Sequence, residues 1–300
     1  MVLLSVFLGC TVEPVRERTA APPPSPTATP ETAKAEPSPE MLPGPNAIPP
    51  DTRVVVNIPA YRMDLFKDGA LVKSYKVGIG YPEFPLPQGI RTADTVIFNP
   101  TWTVPDESWA AEMKNVSVGE TVEAGSKDNP LGIIKIPIGL PSLIHGGKAP
   151  AKIGKFASHG CVGLTNPQIK DFAMQLAQAS ETEIPAEDVE SYLKQKTRTR
   201  EVKLNETIPV ELRYETIVIE DGKLHIYKDV YRQNTNTEEN LRSVLAAHGL
   251  SFDDLPADQK TAILSALKSV SKKNEAVVAL PAAQKGYPAP VELDKGNAKQ

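Results

Sequence analysis

The stretch SHGCVGL, residues 158 to 164, places Cys161 directly after Gly160, with His159 two residues before it and Ser158 at its head. A thiol becomes a strong nucleophile only as the thiolate, and a neighbouring imidazole is the usual route to that state. Two histidines qualify. His159 is close in sequence, and His145 stands in LIHGG, sixteen residues upstream. Residues two apart on a strand share a face, but a loop carries no such rule, so either ring is open as the partner. Gly160 lets the backbone bend so that consecutive N–H groups aim at one spot, as an oxyanion hole requires. Gly146, Gly147 and Gly154 lie in the same region. These residue types support Cys–His acyl transfer. The plain alternative is an inert buried Cys with an incidental His.

The elements that must position this set are mostly strands. In RVVVNI, Val54, Val56 and Ile58 alternate with Val55 and Asn57, a strand pattern. RMDLFKDGALVKSYKVGIG reads as a hairpin turning on Asp68-Gly69, because a tight hairpin turn needs residues that tolerate positive φ. Residues 81–92 read as a loop and TVIFNPTWTVP as a further strand. IIKIPIG and SLIHGG are short apolar runs suited to buried strands. After the Cys motif, Asn166 suits a helix N-cap and Pro167 the first helical position. Ile169, Phe172, Ala173, Leu176 and Ala177 follow at helical spacing. EDVESYLKQK reads as a second helix. ETIPVELRYETIVIEDGKLHIYKDV reads as a second hairpin, turning on Asp221-Gly222. From Glu238 the chain reads as helical, with a loose end over its final twenty or so residues.

Composition sets the bounds. Hydrophobic content of 40% and charged content of 23% are ordinary for a globular chain. A net charge of −4 gives no electrostatic reason to expect nucleic acid. Two distant cysteines make no disulfide framework, and four scattered histidines without a CxxC give no metal site. No apolar run reaches the roughly 18 residues that a membrane helix needs. Twelve of the 29 prolines fall in the first 50 residues. There MVLLSVFLGC fits the apolar core of a signal peptide. Gly9-Cys10 resembles a lipobox, which implies lipidation of Cys10. The Pro-, Ala-, Thr- and Glu-rich stretch behind it lacks the large apolar residues needed to offset ordering entropy, and reads as a spacer. The expected organisation is a signal at 1–10, a Pro-rich disordered linker at 11–50, and a catalytic domain at 51–235. The domain has a core at 51–184 and a β extension at 185–235, and a helical tail occupies 236–300.

IHGGKAPAKIGKFASHGCVGLTN, residues 144–166, resembles the signature of the L,D-transpeptidase catalytic domain, the YkuD family: an IHG segment, a Gly-containing loop and an SHGC segment. LPQG, NPTWTVP, DNPLG and IPVELRYETIVIEDGKLHIYKDVYRQ extend the likeness over about residues 52–233. The resemblance implies a mostly β fold with a few helices, a β-sandwich catalytic domain. It implies Cys161 as nucleophile on the bond before the terminal D-Ala of a peptidoglycan stem tetrapeptide, through a thioester. It implies His145 as general base, a carbonyl near Gly146 orienting the ring, and amides around His159, Gly160 and Cys161 as oxyanion donors. Ser158 and His159 line the site, and no cofactor or metal is needed. The acceptor sets the product: another stem's amine (a 3→3 cross-link), an envelope lipoprotein's Lys, or water in an L,D-carboxypeptidase. The implied location is the cell envelope, in the periplasm or outside the cytoplasmic membrane. Family members are acylated by carbapenems at the Cys. One departure stands out. The family's usual Arg two places after the Cys is Gly163 here, which motivates a further alternative, a silent wall-binding lipoprotein. Arg91 and Lys155 are candidate replacements for that charge. Trp102 is a candidate wall of the substrate groove. The basic run 194–203 reads as a solvated face, and His225 and His248 as structural.

Overall fold

The computed structural model describes residues 40–280 and 286–291. The expected signal, Cys10, and the spacer up to residue 39 lie outside the described residues. The chain opens with a three-stranded antiparallel ribbon of β1 (Arg53–Asn57), β2 (Arg62–Lys67) and β3 (Ala70–Lys76). Its hairpin turns at Asp68 and Gly69, with φ of 49° and 80°, the positive pair that a tight turn demands. Next come β4 (Ile79–Gly80), the long β5 (Gly89–Phe98), β6 (Trp102–Thr103), the four-residue helix α1 (Ser108–Ala111) and β7 (Thr121–Val122). The site region follows with β8 (Ile134–Pro137), β9 (Leu143–His145), β10 (Phe156–Ser158) and β11 (Val162–Gly163). Helices α2 (Asn166–Ala179) and α3 (Ala186–Lys194) lead to β12 (Arg200–Arg213). The last elements are β13 (Ile217–Glu220), β14 (Lys223–Tyr227), α4 (Glu238–Ala247), α5 (Ala257–Ser269) and β15 (Glu275–Ala279).

The fold is mostly β with few helices. Eight strands form one curled sheet in the order β11-β9-β8-β5-β12-β1-β2-β3. One face carries Val54, Val56, Met63, Leu65, Tyr75, Val210 and Leu212, all fully buried. Helix α2 covers it with Ile169, Phe172, Ala173 and Leu176. Phe172 meets Tyr75 edge-on at 5.4 Å between ring centres, and the Tyr75 hydroxyl donates to Asp171 Oδ2 at 2.7 Å. Helix α2 begins one residue earlier in register than expected. Thr165, not Asn166, is the N-cap, in a reciprocal capping box with Gln168. That shift frees the Asn166 side chain for other contacts.

Strand β12 does not open a hairpin with β13. It lies between β5 and β1, antiparallel to the first and parallel to the second, with Val210 opposite Val54 and Leu212 opposite Val56. It is therefore an inner strand of the core sheet rather than an extension, since its alternating apolar residues complete the face under α2. The hairpin is β13–β14, turning at Asp221 and Gly222. The region after 236 is not purely helical. Strand β15 joins β14, and this three-stranded sheet buries Ile219, Leu224 and Ile226 against Leu241, Val244, Leu245 and Ile263 of α4 and α5.

The opposite face of the main sheet is charged yet buried. Arg62 bonds Asp64 at 2.8 Å and Glu220 at 2.5 Å, and the Tyr287 hydroxyl donates to Asp64. Arg53 and Arg213 both reach Glu211. Two end segments cover these groups. Asn46 donates to the Ile217 carbonyl and accepts from the Ile219 amide, and the Ala47 carbonyl accepts from Arg213. Residues 40–50, the close of the Pro-rich stretch, are thus docked on the sheet. So are residues 286–291 of the end expected to be loose, where Tyr287 is buried and bridges to Glu220.

Candidate active site

Strand pairing brings the two motifs together. β11 lies at the sheet edge, parallel to β9, with Val162 opposite Ile144 and Gly163 opposite His145. Paired residues of parallel strands present the same face, and so do residues two apart. His145, Gly163 and, one step before β11, Cys161 therefore share a face. Strand spacing and rise put the Cα atoms of His145 and Cys161 about 8 Å apart, within reach of two side chains. Gly163 is bonded on its other edge to Gly78, with both N–H to carbonyl distances at 2.8 Å.

His145 is buried. Its Nδ1 lies 2.8 Å from the Gly146 carbonyl. A carbonyl accepts only, so Nδ1 carries the proton and Nε2 is left with the lone pair. Burial, helped by the positive charge of Lys148, pushes the ring's pKa down to about 3. The next residues are tightly fitted. Asn166 Oδ1 accepts the Gly147 amide at 2.9 Å, and a Cβ on Gly146 would lie 2.7 Å from both Asn166 Oδ1 and Ile169 Cγ2. The start of α2 thus clamps the loop behind His145, which requires glycine there.

Cys161 is a free, half-buried thiol. Burial raises its pKa, while a backbone hydrogen bond from Leu143 and the charge of Lys148 act in the opposite direction. The resting pair is a neutral thiol and a neutral imidazole. The turn is closed by Ser158, whose Oγ donates to the Cys161 carbonyl at 2.5 Å and accepts the Cys161 amide at 3.1 Å. The Cys161 N–H, one of the expected oxyanion donors, is therefore engaged. Those of His159 and Gly160 are the remaining two, and Gly160 adopts φ of 92° at this bend.

His159 does not join the pair. Its exposed ring stacks face to face on Trp109 of α1, at 4.0 Å and 2° between planes. Phe84 and Tyr81 flank it at 5.0 and 5.3 Å. Trp102 is buried behind Trp109, in a small cluster with Val104, Ala110, Val122 and Leu131. The half-buried aromatic that reaches the site is Trp109, which the sequence reading missed.

The charge beside the thiol is also one that the sequence reading missed. Arg91 lies on β5 alongside Gly139, and Lys155 is exposed. Lys148 instead lays its stem over Gly163, where a Cβ would come within 2.8 Å of its Cγ and Cε. The signal was present as a Lys directly after the IHGG run, opposite a Gly where a large side chain was expected. His225 pairs with Glu275 in the C-terminal sheet, and His248 bonds the Val244 carbonyl at the end of α4. Among the described residues no group of three or more His, Cys, Asp or Glu is arranged to hold a metal, and no helix is long and apolar enough to cross a membrane.

Residues 51–188 match the model of the L,D-transpeptidase catalytic domain, YkuD. The chain is 34% identical over 127 residues to a probable L,D-transpeptidase ErfK/SrfK of Escherichia coli K12, covering 40% of this chain and 41% of that protein. It is 32% identical over 154 residues to the probable L,D-transpeptidase YbiS of the same strain, covering 44% and 49%. The chain thus spans less than half the length of these curated relatives. The catalytic domain of an Enterococcus faecium L,D-transpeptidase aligns over 54% of this chain and 97% of its own, at 17% identity and a TM-score of 0.34. The assignment rests on the family match.

Proposed function

We propose that this chain, whose residues 51–188 belong to the L,D-transpeptidase catalytic-domain family, is a cysteine-dependent L,D-transpeptidase of the cell envelope acting on peptidoglycan stem tetrapeptides. The observation that carries this reading is the shared face of His145 on β9 and Cys161, one residue before the parallel strand β11, with Nε2 of a neutral imidazole left as base. His145 takes the thiol proton as sulfur attacks the carbonyl before the terminal D-Ala. The carbonyl oxygen gains the charge and meets the amides of His159 and Gly160. The imidazolium returns its proton to the leaving amine, and a thioester remains. An acceptor amine repeats the sequence in reverse, with His145 removing its proton. A second stem's diamino acid as acceptor gives a 3→3 cross-link, and an envelope lipoprotein's Lys gives a wall tether. The Trp109 ring, stacked on His159, offers an aromatic surface for the stem peptide. A lipid anchor at Cys10 would hold the domain at a membrane.

The test is intact mass after incubation with a carbapenem, for the native protein and Cys161→Ala. An adduct on the native protein alone is expected. No adduct on either protein would sink the reading and favour the silent wall-binding alternative. Accumulated tripeptide without dimers, from a tetrapeptide substrate, would instead mark an L,D-carboxypeptidase.

A further inference from the structure

Gly163 raises a physical question that the reaction leaves unanswered. Its face is shared with His145 and Cys161, and a side chain there would stand directly in the site. The space is not open. The Lys148 stem fills it, with Cγ and Cε 2.8 Å and Cδ 3.3 Å from where a Cβ would sit. Contacts so short exclude any residue but glycine while Lys148 lies this way. The pose is anchored by backbone. The Leu164 amide donates to the His145 carbonyl at 2.8 Å, and the Lys148 amide donates to the Leu164 carbonyl at 3.0 Å. The ladder between the two motifs thus runs on past β9, and Lys148 is delivered over Gly163 by the same pairing that sets His145 beside Cys161.

We propose that Lys148 is the positioning cation of this site, reaching from the His145 strand over Gly163 to hold the Cys161 thiolate, so that positive charge comes from one strand and glycine from the other. The inference rests on Cys161 being the nucleophile of the reaction proposed above. When the thiol ionises at rest its proton passes to solvent, and in the acylation step it passes to His145; in both cases the electron pair stays on sulfur and the ammonium keeps its own protons. The same charge opposes protonation of His145 and His159, so it separates the roles, favouring thiolate at 161 and a neutral base at 145. Lys148 is itself partly desolvated, and Cys161 and Lys152, in the 150–152 turn, are the charged groups that act on it. An isolated buried ammonium is costly, and burial pushes Lys148 below its ordinary value; a thiolate formed at 161 is the anion that acts against that shift.

The test follows alkylation of Cys161 by iodoacetamide in the full chain between about pH 6 and 10, read by intact mass. Lys148→Met keeps the stem over Gly163 and removes the charge. An opposite charge in close range shifts a pKa by one unit or more, so Lys148→Met should alkylate about tenfold more slowly at fixed pH and rise at higher pH. Lys148→Arg should stay near native. The pair Lys148→Ala with Gly163→Arg should recover the lost rate, because the cation then arrives from the other strand. A Lys148→Met profile that overlays the native one would overturn the proposal. If Lys148→Met fails to fold, the double variant decides, since a fast profile near native supports the cation and a profile as slow as that of Lys148→Ala alone overturns it. Tetrapeptide turnover by the native protein is measured in parallel. Lys148-dependent alkylation without turnover would reject the transpeptidase reading and leave the cation in place. Turnover with Lys148-independent alkylation would do the reverse.

Discussion

His145 makes a quantitative link between site and stability. Its ordinary pKa is 6.5 and its folded value is about 3, because the ring is buried and faces Lys148. As pH falls, the unfolded chain takes up the proton first, near 6.5, while the folded ring stays neutral until about 3. The stability that the neutral ring contributes is therefore present above pH 6.5 and lost as pH falls toward 3. Each unit of that window is worth about 1.4 kcal/mol, so acidification to pH 4.5 should cost about 3 kcal/mol through this residue alone, a large share of a typical 5–15 kcal/mol. The perturbation is His145→Asn, whose amide still donates to the Gly146 carbonyl but does not titrate. Urea unfolding of both proteins at pH 7 and 4.5 isolates the term, because His159 and the carboxylates are common to both. The native protein is expected to lose about 3 kcal/mol more than the variant over this interval. A second readout uses the native protein, in which carbapenem acylation of Cys161 should show no break between pH 6 and 7, since the base stays deprotonated. Equal losses in the two proteins, or a rate break near pH 6.5, would refute the buried neutral base.

Three further outcomes are expected. Phe172→Ala, under α2 and against Tyr75, should cost about 3–5 kcal/mol in urea unfolding by leaving a cavity. Arg62→Met strands Asp64 and Glu220 in the charged face, and should cost about 3–5 kcal/mol at pH 7. The loss should shrink at pH 5, because burial already pushes the Glu220 carboxyl up and it takes a proton once the guanidinium is gone. Trp109→Ala removes the ring on His159 and should raise the tetrapeptide KM by about two- to tenfold, with no slowing of iodoacetamide alkylation.

Much of this protein was legible along the chain. The Asp-Gly turns at 68–69 and 221–222, the alternating valines of β1 and the helical spacing of α2 are local signals, and local backbone preference is enough to express them. The pair proposed to carry the chemistry could also be named along the chain, since a Cys and a His bracketed by glycines are written in two short motifs. What sequence did not reveal is which strands become neighbours. Alternation tells which face of β12 is apolar but not that β5 and β1 take it in between them, because that depends on pairing across more than a hundred residues. The same holds for the buried charges. Arg53, Arg62 and Glu211 are buried because the chain's end segments fold over them, which no local pattern around these residues announces. At the site, the Arg missing from the resemblance suggested a search for another cation, and the residue that lies over Gly163 is Lys148, not the Arg91 or Lys155 named from sequence. Only the parallel register of β9 and β11 sets Lys148 over Gly163, because a side chain's reach across a sheet is fixed by packing in space and not by distance along the chain.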